Sequence, residues 1–200
     1  MATSPLKSVL FTAAPQHILS ALFFSLFILL TSPAIAETPL ITYNRLHELL
    51  PNNNSDPLLT VYQNGKVRAV YPAFMKKAGT YEWTLLDVDM RELQRLAGNP
   101  SVQQFNKQAV EEKIEKKQQA QLTSISDSTT TIIDVKHITE SGEAIESPTE
   151  SIDSLQTISF EDVPDVSEEN PEIVELKSLL TLESKLEAIL KQATPEKLIK

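Results

Sequence analysis

The chain has 200 residues, 12 prolines, four glycines, no cysteine and a formal net charge of −9. Without cysteine there are no disulfides, thiolate metal ligands, cysteine nucleophiles or lipidated cysteine anchors. The acidic balance argues against general nucleic-acid binding, which needs clustered Lys and Arg against phosphate, and the length allows one modest domain with appendages or two very small ones.

Met1–Ala36 has no acidic residue and one lysine, Lys7. Ile18–Leu30 is an apolar run broken only by Ser20 and Ser25, followed by Pro33 and then Ala34-Ile35-Ala36. That order is a weakly basic start, a hydrophobic centre and a small-x-small cleavage site. The run is shorter than the ~20 residues of a membrane span. The expectation is a signal peptide over 1–36, cleaved between Ala36 and Glu37. The protein is then periplasmic or secreted, with no stable membrane anchor once the signal is removed. The remaining 164 residues carry 17 basic and 27 acidic residues, net −10. Leu122–Glu175 holds 14 acids against Lys136 alone, so the acidity belongs to one middle segment.

Residues 37–57 read as an N-terminal segment and loop. Within it Leu46, Leu49 and Leu50 sit at helical spacing and predict a short helix over Asn44–Leu50. Leu58–Gln63 and Lys66–Tyr71 flank Asn64-Gly65, the pair favoured in a two-residue hairpin turn. That turn would pair Tyr62 with Val67, Thr60 with Ala69 and Leu58 with Tyr71, and put all six on the core face. Pro72–Gly79 is a connection, and Thr80–Leu85 a third strand with Tyr81, Trp83 and Leu85 on one side. A helix over Val88–Ala97 follows, capped by Asp87 or Asp89, with Leu93, Leu96 and Ala97 facing the sheet and Gly98 after its end. Ser101 and Gln104 predict a long polar helix over Val102–Leu122, with Val102, Phe105, Ala109 and Ile114 as its apolar stripe. Strands are expected at Thr131–Ile138 and Leu155–Phe160, with a flexible acidic loop over 139–154 between them. Glu161–Asn170 reads as an acidic loop. Asn170-Pro171 opens a last helix to Ala193, and 194–200 is a tail. The fold class is α+β: a small, mainly antiparallel sheet with two or three packed helices, one domain over 58–193.

Motif chemistry is sparse. His47 and His137 without cysteine make a poor transition-metal site, and no phosphate loop, dinucleotide fingerprint or serine elbow is present. The acids of Glu161–Glu169 lack the spacing of a calcium loop. The expectation is a protein that is not an enzyme, with no metal and no cofactor. Tyr62, Tyr71, Tyr81 and Trp83 at alternating strand positions read as core before they read as a stacking platform. Phe74 and Met75 read as core plugs in the same way.

The run Val61–Pro72, then Thr80–Leu85, then a helix with Leu93 and Leu96, resembles a group of small exported bacterial domains of unknown function. Over about residues 58–98 it is also similar in pattern to emfourin-type inhibitors of thermolysin-like metalloproteases. The resemblance implicates the Pro72–Gly79 loop in contacting a protein partner, with Ala73-Phe74-Met75 where that pattern leads one to look for a glycine. The expected function is a non-catalytic protein-interaction or accessory module, in one form a protease-inhibitor-like binder. Its partner is an unidentified protein, touched by Tyr71, Phe74, Met75 and Trp83. The alternatives are a periplasmic hydrolase or small-ligand-binding protein, with a pocket at His47 or His137, and an envelope assembly protein working through a projecting Val110–Leu122 helix.

Overall fold

The computed structural model describes residues 37–47, 56–117, 128–136 and 155–199, all within a unit running Glu37–Lys200. The expected leader (1–36), His137, the acidic loop 139–154 and the end of the expected long helix (118–122) lie outside the described residues.

The strands are β1 (Pro39–His47), β2 (Leu59–Tyr62), β3 (Lys66–Tyr71), β4 (Gly79–Thr84), β5 (Thr129–Lys136), β6 (Leu155–Glu161) and β7 (Leu198–Ile199). They form one antiparallel sheet in the order β6-β5-β1-β2-β3-β4-β7. With the helices below, the fold is α+β, as expected. β1 takes the Asn44–His47 part of the predicted Asn44–Leu50 helix, whose residues 48–50 lie outside the described residues, and it lies inside the stretch set apart as an N-terminal segment. Ile41-Thr42-Tyr43 are strong strand formers, and neighbours on both sides outweigh the leucine spacing. A bulge between Pro39 and Ile41 lets consecutive Leu40 and Ile41 both be buried. The tail likewise supplies β7.

The β2–β3 hairpin departs from the expected register. Leu59 faces Ala69, Thr60 faces Arg68 and Val61 faces Val67. The loop therefore holds three residues, Gln63, Asn64 and Gly65. Gly65 N donates to Tyr62 O at 3.0 Å, and Gly65 has φ +81°. This is a turn followed by a left-handed glycine, the usual three-residue hairpin. One residue of slip moves Leu59 and Val61 onto the core face, where Thr60 and Tyr62 were expected. On the opposite face a polar row crosses six strands: Thr157, Asp134, Thr42, Thr60, Arg68 and Glu82. Asp134 accepts from the hydroxyls of Thr42 and Thr157, each at 2.7 Å.

The helices are α1 (Asp87–Ala97), α2 (Pro100–Gln103), α3 (Lys107–Lys117), α4 (Val163–Glu169) and α5 (Val174–Leu190). α1 buries Leu93, Leu96 and Ala97 as its spacing required, but no side chain caps it, and Asp89 binds Lys185 instead. The expected long helix is broken into α2 and α3. Asn99 caps the first piece through Ser101 N, and Asn106 Oδ1 accepts from Ala109 N. The restart buries Val110 and leaves Ala109 outside. It also seats Phe105 edge-on against Phe160, 5.8 Å between centroids. α3 is tied back through Lys113–Glu175 and Lys117–Glu172 rather than projecting. The expected Glu161–Asn170 loop is mostly α4, because Val163 and Ser167 have a core to enter. Asn170 ends α4, and α5 begins later than predicted, after Ile173.

α5 crosses the covered face of the sheet. Leu176, Leu179, Leu182, Leu186 and Ile189 are fully buried along it at spacings of three and four. Each such side chain contributes about 1.5–3 kcal/mol on leaving water. Gly65→Ala should cost about 1 kcal/mol or more, because the added Cβ makes only an ordinary contact with Thr84 Cγ2 at 3.8 Å and the positive φ alone opposes it. Denaturant melts that show no loss would mean that the turn has an alternative geometry.

Candidate functional site

Chain direction brings two segments to the β4 side of the sheet. The first is the β3–β4 connection. Met75 N donates to Pro72 O and Ala78 N to Met75 O, both at 3.0 Å, so the loop is two successive turns. The Tyr81 hydroxyl donates to Lys77 O at 3.1 Å and fastens the loop's end. The second segment follows α5. The Tyr71 hydroxyl donates to Leu190 O at 3.2 Å, and Lys77 Nζ to Ala193 O at 3.4 Å. A single 3₁₀ turn, Pro195–Lys197, then leads into β7, where Leu198 faces Tyr81 and Ile199 faces Thr80. Gly79 has φ +131°, and Leu198 Cδ1 lies 2.7 Å from where a Cβ would sit, so glycine lets β7 lie down here.

The four expected contact residues divide into two kinds. Phe74 is 61% and Met75 39% exposed, so neither plugs the core. Tyr71 and Trp83 are half-buried and packed on the core. Tyr71 meets Tyr81 edge-to-face at 5.6 Å. Burial, and Tyr81 next to it, push the Tyr71 phenol above its ordinary pKa. Lys197 Nζ lies 4.9 Å from the Trp83 ring centre, a cation–π contact. Tyr71 and Tyr81 thus support the loop that presents Phe74 and Met75, while Trp83, opposite Val67, lies four residues along β4 from the loop and is covered by Lys197. Leu198 and Ile199, also exposed, point to opposite faces of the sheet, and Leu198 lies against Gly79 at the loop's end. They were missed within a segment read as tail, since two residues are too few to show an alternation. The remaining exposed large apolar residues, Leu86, Val88 and Val174, stand at the starts of α1 and α5.

A second feature is a buried acid. Glu183 is 2% exposed, on the apolar stripe of α5 between Leu179 and Leu186. Its Oε1 accepts from the Thr131 hydroxyl at 2.6 Å and the Tyr43 hydroxyl at 3.4 Å. Its Oε2 has no partner among the described residues. Beside it Arg45 pairs with Glu187 at 2.7 Å. Burial foremost, with the Glu187 charge, raises the Glu183 carboxyl above its ordinary pKa. The Thr131 hydrogen bond, Arg45 and the Tyr43 hydrogen bond oppose that rise. Tyr43 is pushed well above its ordinary value by its own burial and by the charges of Glu183 and Glu187. An acid at a core position of a helical stripe was visible in the sequence as a break in pattern.

Metal chemistry finds little material. Among the described residues no three of His, Cys, Asp and Glu are grouped to hold an ion. His47 Nδ1 lies 3.1 Å from the Thr129 hydroxyl. Asp162, in the acidic stretch, spends its Oδ1 on Thr129 N at 2.8 Å. None of the described helices is long and apolar enough to cross a membrane.

Two outcomes follow from these placements. Phe74→Asp and Met75→Asp should each leave stability within about 0.5 kcal/mol of the parent. Tyr71→Phe should lose about 1 kcal/mol with its hydrogen bond, and Trp83→Ala about 3 kcal/mol or more. Equal losses at all four positions in urea melts would refute the division. For Glu183, folded and unfolded chains both hold the proton at low pH. As pH rises past ~4.3 the unfolded chain releases it first. Folding stability is therefore lost from there up to the raised folded pKa. The melting temperature of Glu183→Gln relative to the parent should climb as pH rises from about 4, where the unfolded carboxyl begins to ionise. A pH-independent difference would show that the carboxyl is ionised at no cost.

No protein-family model matches the chain, and no match is found among curated proteins or solved structures. The reading of the corner rests on its own geometry.

Proposed function

We propose that this is an exported, non-catalytic interaction module that holds a protein partner at the corner formed by the Pro72–Gly79 loop and β7. One observation carries the reading: Phe74 and Met75 stand in solvent on a loop pinned through Tyr81 and Lys77. An ordered loop presenting an aromatic and a thioether loses little conformational entropy on binding, and such side chains are enriched among the anchors of interfaces. The same loop is the one implicated by the resemblance to emfourin-type inhibitors. A thermolysin-like metalloprotease is therefore the first partner class to assay.

The test compares the parent protein, Phe74→Asp and the control Arg91→Asp on the exposed side of α1. All three are immobilised and challenged with envelope extract and with a thermolysin-like protease. Partners or inhibition shared by the parent and the control but lost in folded Phe74→Asp are the expected result. Identical capture by all three would end the proposal.

A further inference from the structure

The charge around the corner has the opposite sign to the charge of the chain. Pro72–Gly79 and Lys191–Ile199 together carry Lys76, Lys77, Lys191 and Lys197 against the single acid Glu196, in a protein of net charge −9. Elsewhere Arg45, Lys66, Lys107, Lys113, Lys117 and Lys185 are each paired with a carboxylate, while Arg68, Arg91, Arg95, Lys116, Lys136 and Lys177 stand scattered without such a pair among the described residues. None of the corner's four ammonium groups is paired with one among the described residues. Lys77 and Lys197 are instead held by backbone carbonyls, those of Ala193 and Gln192. Those contacts place the charges without neutralising them, and each ammonium keeps further donors. Lys76 and Lys191 are exposed neighbours of these anchored positions.

We infer, building on the proposed partner-binding role, that the corner takes an acidic segment of a partner protein carrying at least one bulky apolar side chain. The apolar residue packs on Phe74, Met75 and Leu198, and carboxylates meet Lys76 and Lys191 at the rim. Such an arrangement steers encounter and selects the partner's sign more than it adds affinity. An anionic membrane surface shares this chemistry but fits less well. A plane of charge meets the whole molecule, whose net −9 opposes approach, whereas a peptide meets only the corner, within a screening length of about 8 Å.

A random peptide display library panned on the immobilised protein tests the inference, with parallel sedimentation against phosphatidylglycerol-rich vesicles. The expected peptides are acidic and contain Phe, Leu or Trp. They should bind Lys76→Glu/Lys191→Glu roughly tenfold or more weakly, bind Phe74→Asp weakly, and lose affinity as salt rises. Neutral or basic peptides that still need Phe74 would overturn the acidic specificity and leave the interaction role standing. Peptides indifferent to Phe74→Asp as well would remove both. Vesicle binding abolished by Lys76→Glu/Lys191→Glu would reassign the corner to a lipid surface and overturn the peptide proposal.

Discussion

Helices cover one face of this sheet, so every strand must turn its apolar side chains the same way. At the β2–β3 hairpin that requirement comes down to one residue of loop length. A two-residue turn at Asn64-Gly65 would have sent Leu59 and Val61 away from the helices and Thr60 and Tyr62 toward them. Burying Leu59 and Val61 gains about 1.5–3 kcal/mol each, more than the preference for one turn type over another. Packing therefore selects the turn, and Gly65, with φ +81°, makes the selected turn possible. The same parity places Tyr43, Ile133 and Ile158 beside them and leaves the polar row of Thr157 through Glu82 on the far face.

α5 meets that requirement from the other side. Its stripe runs from Thr131 on β5, through Arg45 on β1, to Tyr71 on β3, with Glu183, Glu187 and Leu190 making the respective contacts. Thr131 and Tyr43 both point polar groups at the helix layer, where each needs an acceptor. Glu183 supplies one acceptor for two donors, at the cost of a buried acid with one oxygen unpartnered. The arrangement fixes which turn of α5 lies over β1 and β5, since a shift of one turn would strand all three groups. A leucine at 183 would fill the space and specify nothing about that position.

What could be read in advance was local. β3, β4, α1 and β6 stood where alternation or helical spacing put them, and Leu93, Leu96 and Ala97 were found on the buried side of α1. The errors came where a tertiary neighbour overrode a local preference. β1 was hidden by Leu46, Leu49 and Leu50, which mimic a helix. The break after α2 was hidden because Ser101 and Asn106 are both acceptable caps, and only the Phe105–Phe160 contact favours a restart. α4 looked like loop because Val163 and Val166 are sparse among acids, and their burial depends on β5 and α5 lying alongside. Of the candidate site, Tyr71, Phe74 and Met75 lie at the loop and Trp83 lies farther along β4, but exposure could not be read from spacing. Phe74 in a loop rich in apolar residues is equally consistent with a plug, and the difference is decided by Tyr81 and Ala193 holding Lys77 across the loop's base. β7 was out of reach of any periodicity, being two residues long.

The division between supporting and presented residues has a consequence for how such a corner can change. Tyr71, Tyr81 and Trp83 are tied to the core through ring packing and to the post-α5 segment through Leu190 and Lys197, so altering them costs folding free energy. Phe74, Met75, Lys76 and Lys191 rest on nothing that the core needs. Substitution there is nearly neutral for stability. A fold that anchors a loop from beneath while leaving its tip free can therefore vary the chemistry of the tip without cost to the core. In the proposed role, that variation would change which partner is accepted while the residues beneath stay fixed.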